Sequence, residues 1–362
     1  MREECQLPSD REIEILGAGL SGLAAAINLA RNGYRVSVYE KEADCGKRFH
    51  RDLEGIENWS SKSDVLEDLA SMNIRVNFDC HPFSSLLLSN GYETLNYYFK
   101  RPLLYLVKRG DVEGSLDQGL KKQAIELGVK INFNSRRQGV DIIATGSIPD
   151  KIVAVVRGII FHTNVDDIAL LLVDDEMAYK GYSYLFVVKG YGCMGVVLFD
   201  KFANASKCFQ KACQTIGQLV NLDIRGEKDF SGVGSFSLLN RLREGESLYV
   251  GEAAGLQDLL GGAGIRYALT SGFLAAKSFV EGDDYQTLIK QRFAHMLRAS
   301  VVNRFVWERM GWRHYSYLIS KSKRIKDPFD ALHKMSNFST VHRLLFPLAR
   351  FILGRRYKGL RP

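Results

Sequence analysis

The stretch Ile13-Glu14-Ile15-Leu16-Gly17-Ala18-Gly19-Leu20-Ser21-Gly22 constrains this chain more than any other. A short apolar run enters Gly-x-Gly-x-x-Gly, a helix of small residues follows through Ala26, and a second apolar run, residues 34–39, closes on Glu40. That order is a βαβ unit of the nucleotide-binding type. Gly17 makes the tight turn, Gly19 admits a pyrophosphate to the backbone, and Gly22 lets helix and strand pack closely. The helix N-terminus offers unpaired N–H groups and the positive end of its dipole to the phosphates. Glu40 stands where a carboxylate accepts hydrogen bonds from both ribose hydroxyls, and it would repel a 2′-phosphate. A lone Gly-x-Gly-x-x-Gly is a common turn; here strand, helix, second strand and terminal acid coincide. Which dinucleotide it holds depends on the rest of the chain.

At 362 residues the chain suits about two domains. Its six cysteines, at 5, 45, 80, 193, 208 and 213, include no Cys-x-x-Cys pair and have no accompanying His cluster. Neither a disulfide framework nor a metal site is expected, and the compartment expected is the cytoplasm. Residues 1–11 are polar, unlike a signal peptide, and no run of eighteen apolar residues predicts a membrane-spanning helix. Charge is uneven: residues 292–362 hold 16 Lys and Arg against three acids, a net of +13. The other 291 residues hold 33 basic and 38 acidic side chains, a net of −5.

Beyond Glu40, the connection that carries Lys41, Cys45, Gly46 and His50 leaves the second strand and passes close to a bound cofactor. Residues 63–72 read as a short helix with Ser63 as N-cap. Apolar runs at 74–78, 85–88, 94–99 and 103–107, broken by Pro82, Asn90-Gly91 and Pro102, read as strands of a second sheet inserted into the nucleotide domain. A helix over 112–127 and a parallel strand over 129–133 follow. The strand ending in Ala144-Thr145-Gly146 returns to the nucleotide sheet and brings bare backbone to the cofactor. Residues 183–199 form an aromatic hairpin turned by Gly190 and Gly192, in which Tyr182, Tyr184 and Phe186 share one face. That face is either core or the wall of a long apolar pocket.

A second strong signal comes late. The strand Leu248-Tyr249-Val250 runs into Gly251-Glu252-Ala253-Ala254-Gly255, then Gly261-Gly262-Ala263-Gly264-Ile265 opens a helix. A carboxylate, bare backbone and a second helix N-terminus would meet the same anion. Two such sites over two hundred residues apart imply one large cofactor gripped from both ends.

Together these motifs, over residues 13–280, resemble the FAD-dependent group that includes p-hydroxybenzoate hydroxylase-like monooxygenases and, more closely, the geranylgeranyl reductase family. The resemblance implies that Gly17, Gly19, Leu20, Ser21, Gly22, Glu40 and Lys41 hold the ADP half of FAD. It implies that Ala144, Thr145, Gly146, Gly251, Glu252, Gly262, Ala263, Gly264 and Ile265 meet its ribitol, pyrophosphate and flavin edge. Arg109 and Asp111 fall where the family has an Arg-x-x-(Phe/Leu)-Asp-like signature beside the cofactor. Tyr182-x-Tyr184-x-Phe186-Val187, then Gly190, Gly192 and Gly195, resembles the family's Tyr-x-Trp-x-Phe-Pro and Gly-x-Gly substrate motif, which favours the pocket wall and makes Gly195 part of it. Cys45-Gly46 is similar to the Cys-Gly pair of those reductases, so Cys45 is the candidate catalytic residue. Departures are Glu252 for Asp, Leu259 for Pro, Tyr184 for Trp and Val187 for Pro.

The fold class implied is α/β: a Rossmann-like FAD-binding domain (12–72, 108–150 and 245–290), an inserted antiparallel β-sheet substrate domain (73–107 and 151–244) and a basic helical C-terminal region (291–362). The activity implied is reduction of carbon–carbon double bonds in an isoprenoid chain on a lipid. The alternatives are a flavin monooxygenase, halogenase or cyclase, and a membrane-peripheral flavoprotein without turnover. No second Gly-x-Gly-x-x-Gly is evident, so the electron donor is open between NAD(P)H and a ferredoxin-like redox partner. In the tail, Val341, Leu344, Leu345, Leu348, Phe351 and Ile352 recur at helical spacing, with Arg343 and Arg350 on another face. That pattern reads as a peripheral contact with the inner membrane face or as a helical cap on the nucleotide domain. No recognition motif for nucleic acid accompanies the charge.

Overall fold

The computed structural model describes residues 11–309, 312–323, 325 and 327–361. Cys5 with the rest of residues 1–10, and Met310 and Gly311 of the aromatic tail, lie outside these.

Strands are numbered in chain order. The nucleotide sheet contains β1 (Glu12–Leu16), β2 (Arg35–Tyr39), β8 (Lys130–Asn132), β9 (Ile142–Ile143), β15 (Arg243–Glu244) and β16 (Ser247–Tyr249). Its spatial order is β15-β16-β9-β1-β2-β8, parallel except for the β15–β16 pair. The register sets Ile15 between Val38 and Ile142; along β1 Ile13 and Ile15 are fully buried, while Glu12 is exposed and Glu14 half-buried at the alternate positions. Helix α1 (Leu20–Arg31) crosses from β1 to β2 and is buried from Leu20 through Leu29. Small side chains at 24, 25 and 26 allow that, and Asn28 spends its amide on the carbonyls of Ala24 and Met72.

The expected second sheet is present and larger than its surroundings. It comprises β5 (Ser85–Ser89), β6 (Thr94–Tyr98), β10 (Ile152–His162), β11 (Ile168–Leu172), β12 (Tyr182–Val188), β13 (Tyr191–Leu198) and β14 (Arg225–Ser235), in the order β14-β10-β13-β12-β11-β5-β6. All neighbours are antiparallel except β11 and β5. The β12–β13 hairpin turns at Lys189-Gly190, both with positive φ, as a two-residue connection requires. Gly192 lies inside β13 instead, where a Cβ would stand 2.4 Å from the Phe161 ring. Side chains alternate along β12: Leu185 and Val187 pack toward helix α4 (Ala205–Leu219), and Tyr184 and Phe186 toward the core shared with the nucleotide domain.

A third sheet joins the two. It consists of β3 (Leu53–Glu57), β7 (Leu104–Lys108) and β4 (Cys80–Phe83), with β7 in the centre. Residues 103–107, expected in the substrate sheet, thus pair with residues just past the nucleotide unit. Residues 74–78 are not a strand; Ile74 and Phe78 are buried there without ladder bonds. Helix α2 (Val65–Ser71) is capped by Asp64, not Ser63, through a bond from the Leu66 N–H. Ser115 caps α3 (Leu116–Glu126) in the same way.

Helix α5 (Ile265–Glu281) lies along α1 at backbone contact: a Cβ on Gly272 would stand 2.1 Å from the Ser21 carbonyl oxygen. Beyond it are α6 (Tyr285–Arg309), α7 (Trp312–Ser322), α8 (Pro328–Met335) and α9 (Thr340–Gly354), with α9 packed on α6. None of the described helices is long and apolar enough to cross a membrane.

Candidate functional site

The first wall of the site is the turn between β1 and α1. Gly17 has φ +105°, and its N–H donates to the Tyr39 carbonyl at 2.7 Å, which draws the turn over β2. A side chain at Gly17 would meet the Ala144 carbonyl at 2.4 Å, and one at Gly22 would meet the Gly17 carbonyl at 2.0 Å. Ala144 therefore crosses directly over the glycine turn, as the returning strand requires. Gly19 is different: nothing lies within 4 Å of the place its Cβ would take. It caps α1 without a side-chain acceptor, so the first N–H groups of that helix face open space. Leu20 and Ser21 are buried in the first turn.

Glu40 sits at the edge of this turn. Its Oε2 accepts from the Ala18 N–H at 2.8 Å and its Oε1 from the Glu42 N–H at 3.0 Å, so the carboxylate is held in one orientation. Lys41 is exposed and pairs with Glu42 at 3.4 Å. Thr145 is exposed, and the Arg48 guanidinium stands 2.8 Å from where a Cβ on Gly146 would be.

The second wall comes from β16 and α5. A Cβ at Gly251 would lie 2.7 Å from Ser21 Oγ and 3.6 Å from the Ala268 Cα, so this residue is wedged between the opening turns of α1 and α5. The two glycine motifs thus meet, as their pairing on one cofactor demands. Gly264 caps α5, again without a side-chain acceptor, so the N-termini of α1 and α5 come together around Gly251 with neither capped by a side chain among the described residues. Gln257 Nε2 donates to the Gly262 carbonyl at 2.6 Å, while Gln257 Oε1 is buried without a partner among the described residues. Glu252 turns toward the second sheet: Arg48 Nη1 donates to its Oε2 at 2.8 Å and the Ser235 N–H to its Oε1 at 2.9 Å. Ala263 and Ile265 flank Gly264 at the same corner, Ile265 buried.

The aromatic face of β12 packs beside the loop that opens α5, with Tyr184 and Phe186 buried in the core and Tyr182 half-buried. Ring centroids of Tyr182 and Tyr184 are 6.3 Å apart and those of Tyr184 and Phe186 5.0 Å apart, a continuous tilted stack. Gly195, opposite Tyr184 in the register, makes room for that ring: a Cβ there would meet Tyr184 Oη at 2.9 Å. Tyr182 Oη donates to the Gly261 carbonyl at 2.7 Å. The Tyr184 hydroxyl meets the sulfur of Cys193, and burial, then Cys193 and Asp52, pushes the Tyr184 phenol well above its usual range. These phenols stay protonated.

Buried ion pairs hold the walls, and sequence reasoning missed their partners. Arg109 donates through Nε and Nη2 to Asp117 at 2.9 and 3.0 Å and through Nη1 to Glu54 at 2.5 Å, with Phe49 3.7 Å beneath its plane. Asp111, the acid first paired with it, binds Lys47 at 2.5 Å instead. The residues that could have signalled this are Leu116-Asp117-x-x-Leu120, where an acid opens an amphipathic helix. Arg266, on the first turn of α5, reaches Glu57 at 3.2 Å, Ser60 at 2.6 Å, Ser61 at 3.0 Å, and Asp68. Burial raises the Glu57 carboxyl against the opposing pull of Arg266.

Cys45 lies under α3, with its carbonyl accepting from Gln118 Nε2 at 3.1 Å. Burial, reinforced by Asp44, pushes its thiol up to about 12. The neighbouring Gly46 is pressed against Gly110, where a Cβ would lie 2.6 Å from the backbone. This pair is thus tightly built into the loop.

A family model described as an NAD(P)-binding Rossmann-like domain matches residues 15–55. No curated protein matches the chain. Among solved structures, a geranylgeranyl bacteriochlorophyll reductase-like protein from Thermoplasma acidophilum aligns with a TM-score of 0.72 at 15% identity, over 96% of this chain and 97% of that one. A flavin-dependent brominase aligns with a TM-score of 0.65 at 15% identity, over 96% and 100%. An aklavinone-11 hydroxylase, solved with FAD and aklavinone, aligns with a TM-score of 0.54 at 18% identity, over 82% and 66%. The chain therefore has the fold of the flavin-dependent oxidoreductases, with its β-sheet insertion and C-terminal helices.

Proposed function

We propose that the cleft between the two glycine motifs holds FAD and that the enzyme reduces carbon–carbon double bonds of an isoprenoid chain lying along the face of β12. The residues suit the cofactor. Gly19 leaves its approach open, two uncapped helix N-termini favour an anion, Glu40 is fixed to receive ribose hydroxyls, and Gln257 carries a buried acceptor with no donor among the described residues. When bound and reduced, FAD would supply the hydride, and the second hydrogen would arrive as a proton from water or a nearby acid.

The observation that carries this reading is the bond from Tyr182 to Gly261, which fixes the aromatic stack against the loop that opens α5. An unactivated alkene offers no carbonyl to polarise, so rate comes from holding it in place and excluding water. Tyr182, Tyr184 and Phe186 provide an apolar face for that, and Tyr184 holds a proton at Oη throughout the physiological range. Cys45, protonated and packed under α3, contributes by fixing the connection after Glu40.

The test is anaerobic. The flavin-loaded protein is reduced with dithionite, given lipids bearing geranylgeranyl chains, and followed by flavin absorbance and product mass. Reoxidation with a gain of two hydrogens supports the reductase; a reduced flavin that persists until air is admitted sinks it. The brominase and hydroxylase of the same fold support a second reading, oxygen-dependent chemistry on another apolar substrate. That reading requires substrate-dependent oxygen uptake.

A further inference from the structure

Helix α9 is apolar on two sides. Its inner side, with Ala349 and Leu353 buried, packs on α6. Its outer side carries Val341, Leu344, Leu348 and Phe351, which are 63%, 76%, 49% and 64% exposed. These four recur at spacings of three, four and three, one stripe along the helix. A helix that only caps a domain needs one apolar face. Here the second face meets water, and nothing among the described residues covers it.

The surroundings of the stripe are cationic. α9 contains no acid, and Arg343 and Arg355 are exposed beside the apolar residues, with the Arg355 guanidinium 4.8 Å over the Phe351 ring. Next to Phe351 an open cleft of 710 Å³ is lined by Arg350, Arg355 and Arg361 together with Pro347. The stripe thus sits within the segment whose net charge is +13. A second copy of this face would bring the same arginines against each other. An anionic lipid surface neutralises them.

We propose that the outer face of α9 seats the protein on a bilayer containing anionic lipid. The four apolar side chains enter the boundary between headgroups and acyl chains, and Arg343, Arg355 and Arg361 meet lipid phosphates. Because α9 lies flat on α6, the protein rests on the surface without crossing it.

The experiment is co-sedimentation of the full-length, flavin-loaded protein with sucrose-filled vesicles, either pure phosphatidylcholine or two parts phosphatidylcholine to one of phosphatidylglycerol. The protein should pellet with the anionic vesicles and stay in solution with the neutral ones. Leu344→Glu with Phe351→Glu should lower the partition coefficient more than about tenfold, with melting temperature and flavin content unchanged. Arg343→Gln and Arg355→Gln should each lower it about fivefold. The proposal is overturned if wild type ignores anionic vesicles, if the double glutamate variant pellets like wild type, or if light scattering finds a dimer that this variant dissociates while vesicles bind neither form.

Discussion

Tyr182 and Gly261, seventy-nine residues apart, are joined by a hydrogen bond of 2.7 Å from the phenol to the carbonyl. One belongs to the large antiparallel sheet and the other to the loop that starts α5, so the bond sets the spacing between aromatic face and glycine motif. Tyr182→Phe keeps the ring and strands the carbonyl. We expect a loss of about 1–3 kcal/mol in stability and a several-fold weaker hold on FAD, measured by thermal unfolding and by flavin fluorescence. An unchanged FAD dissociation constant would mean that the loop keeps its place without the bond.

Two glycines of the first motif should fail in opposite ways. Gly19 has an extended backbone with φ −80° and free space where a Cβ would go, so Gly19→Ala should leave the apoprotein within about 0.5 kcal/mol of wild type. Its methyl group would occupy the approach to the helix N-terminus, and FAD affinity should drop more than about tenfold. At Gly22 the new methyl carbon would stand 2.0 Å from the Gly17 carbonyl, and the apoprotein should lose about 3 kcal/mol or more. Denaturant melts of the flavin-free proteins and a flavin titration separate the two. Tight FAD binding by the Gly19 variant would remove the phosphates from this turn.

Cys45 should be silent toward thiol reagents until the protein unfolds. Burial holds its thiol near 12, so at pH 8 almost none of it is thiolate. The folded state keeps this proton in a range where the unfolded thiol, titrating near 9, gives it up. Its contribution to stability is therefore complete below pH 9 and is lost as pH rises toward 12. Cys45→Ala should cost about 1–2 kcal/mol in packing and leave turnover per bound flavin unchanged. A hundredfold loss of turnover with flavin content intact would instead make the thiol part of the chemistry.

The nucleotide half of the molecule was legible because its signals are local. Gly17, Gly19, Gly22 and Glu40 lie within one βαβ unit, and their spacing alone sets the turn, the helix start and the acid. The alternation along β12 was equally plain, since a strand has a period of two. The buried pairs were not legible. Arg109 pairs with Asp117 instead of Asp111 because α3 begins at Leu116, four residues later than its apolar pattern implies, and this carries Asp117 back under the guanidinium. Arg266 and Glu57 are separated by 209 residues, and no periodicity links them. The short β3 strand was also unforeseen, since Leu53-Glu54-Gly55-Ile56-Glu57 lacks both β-branched density and clean alternation; its partner β7 supplies the pairing.

That distant pair gives the sharpest pH test. The Glu57 and Arg266 side chains are only 7% and 5% exposed, and burial raises the Glu57 carboxyl even with the arginine beside it. Arg266→Met removes the nearest cation and leaves a carboxylate without a counter-charge, which should cost about 3–5 kcal/mol at pH 8. The Glu57 carboxyl would then rise further. A carboxyl raised in the folded state stabilises below its unfolded value and loses that contribution as pH climbs through the folded one. The variant should therefore regain stability on acidification from pH 8, by up to about 1.4 kcal/mol per pH unit, over a range where wild type changes less. Adding Glu57→Leu replaces the pair with apolar contact and should abolish the pH dependence while restoring much of the melting temperature. A deficit in Arg266→Met that is the same at pH 8 and pH 5.5 would show that the arginine acts through its bonds to Ser60, Ser61 and Asp68, and that Glu57 is charged without it.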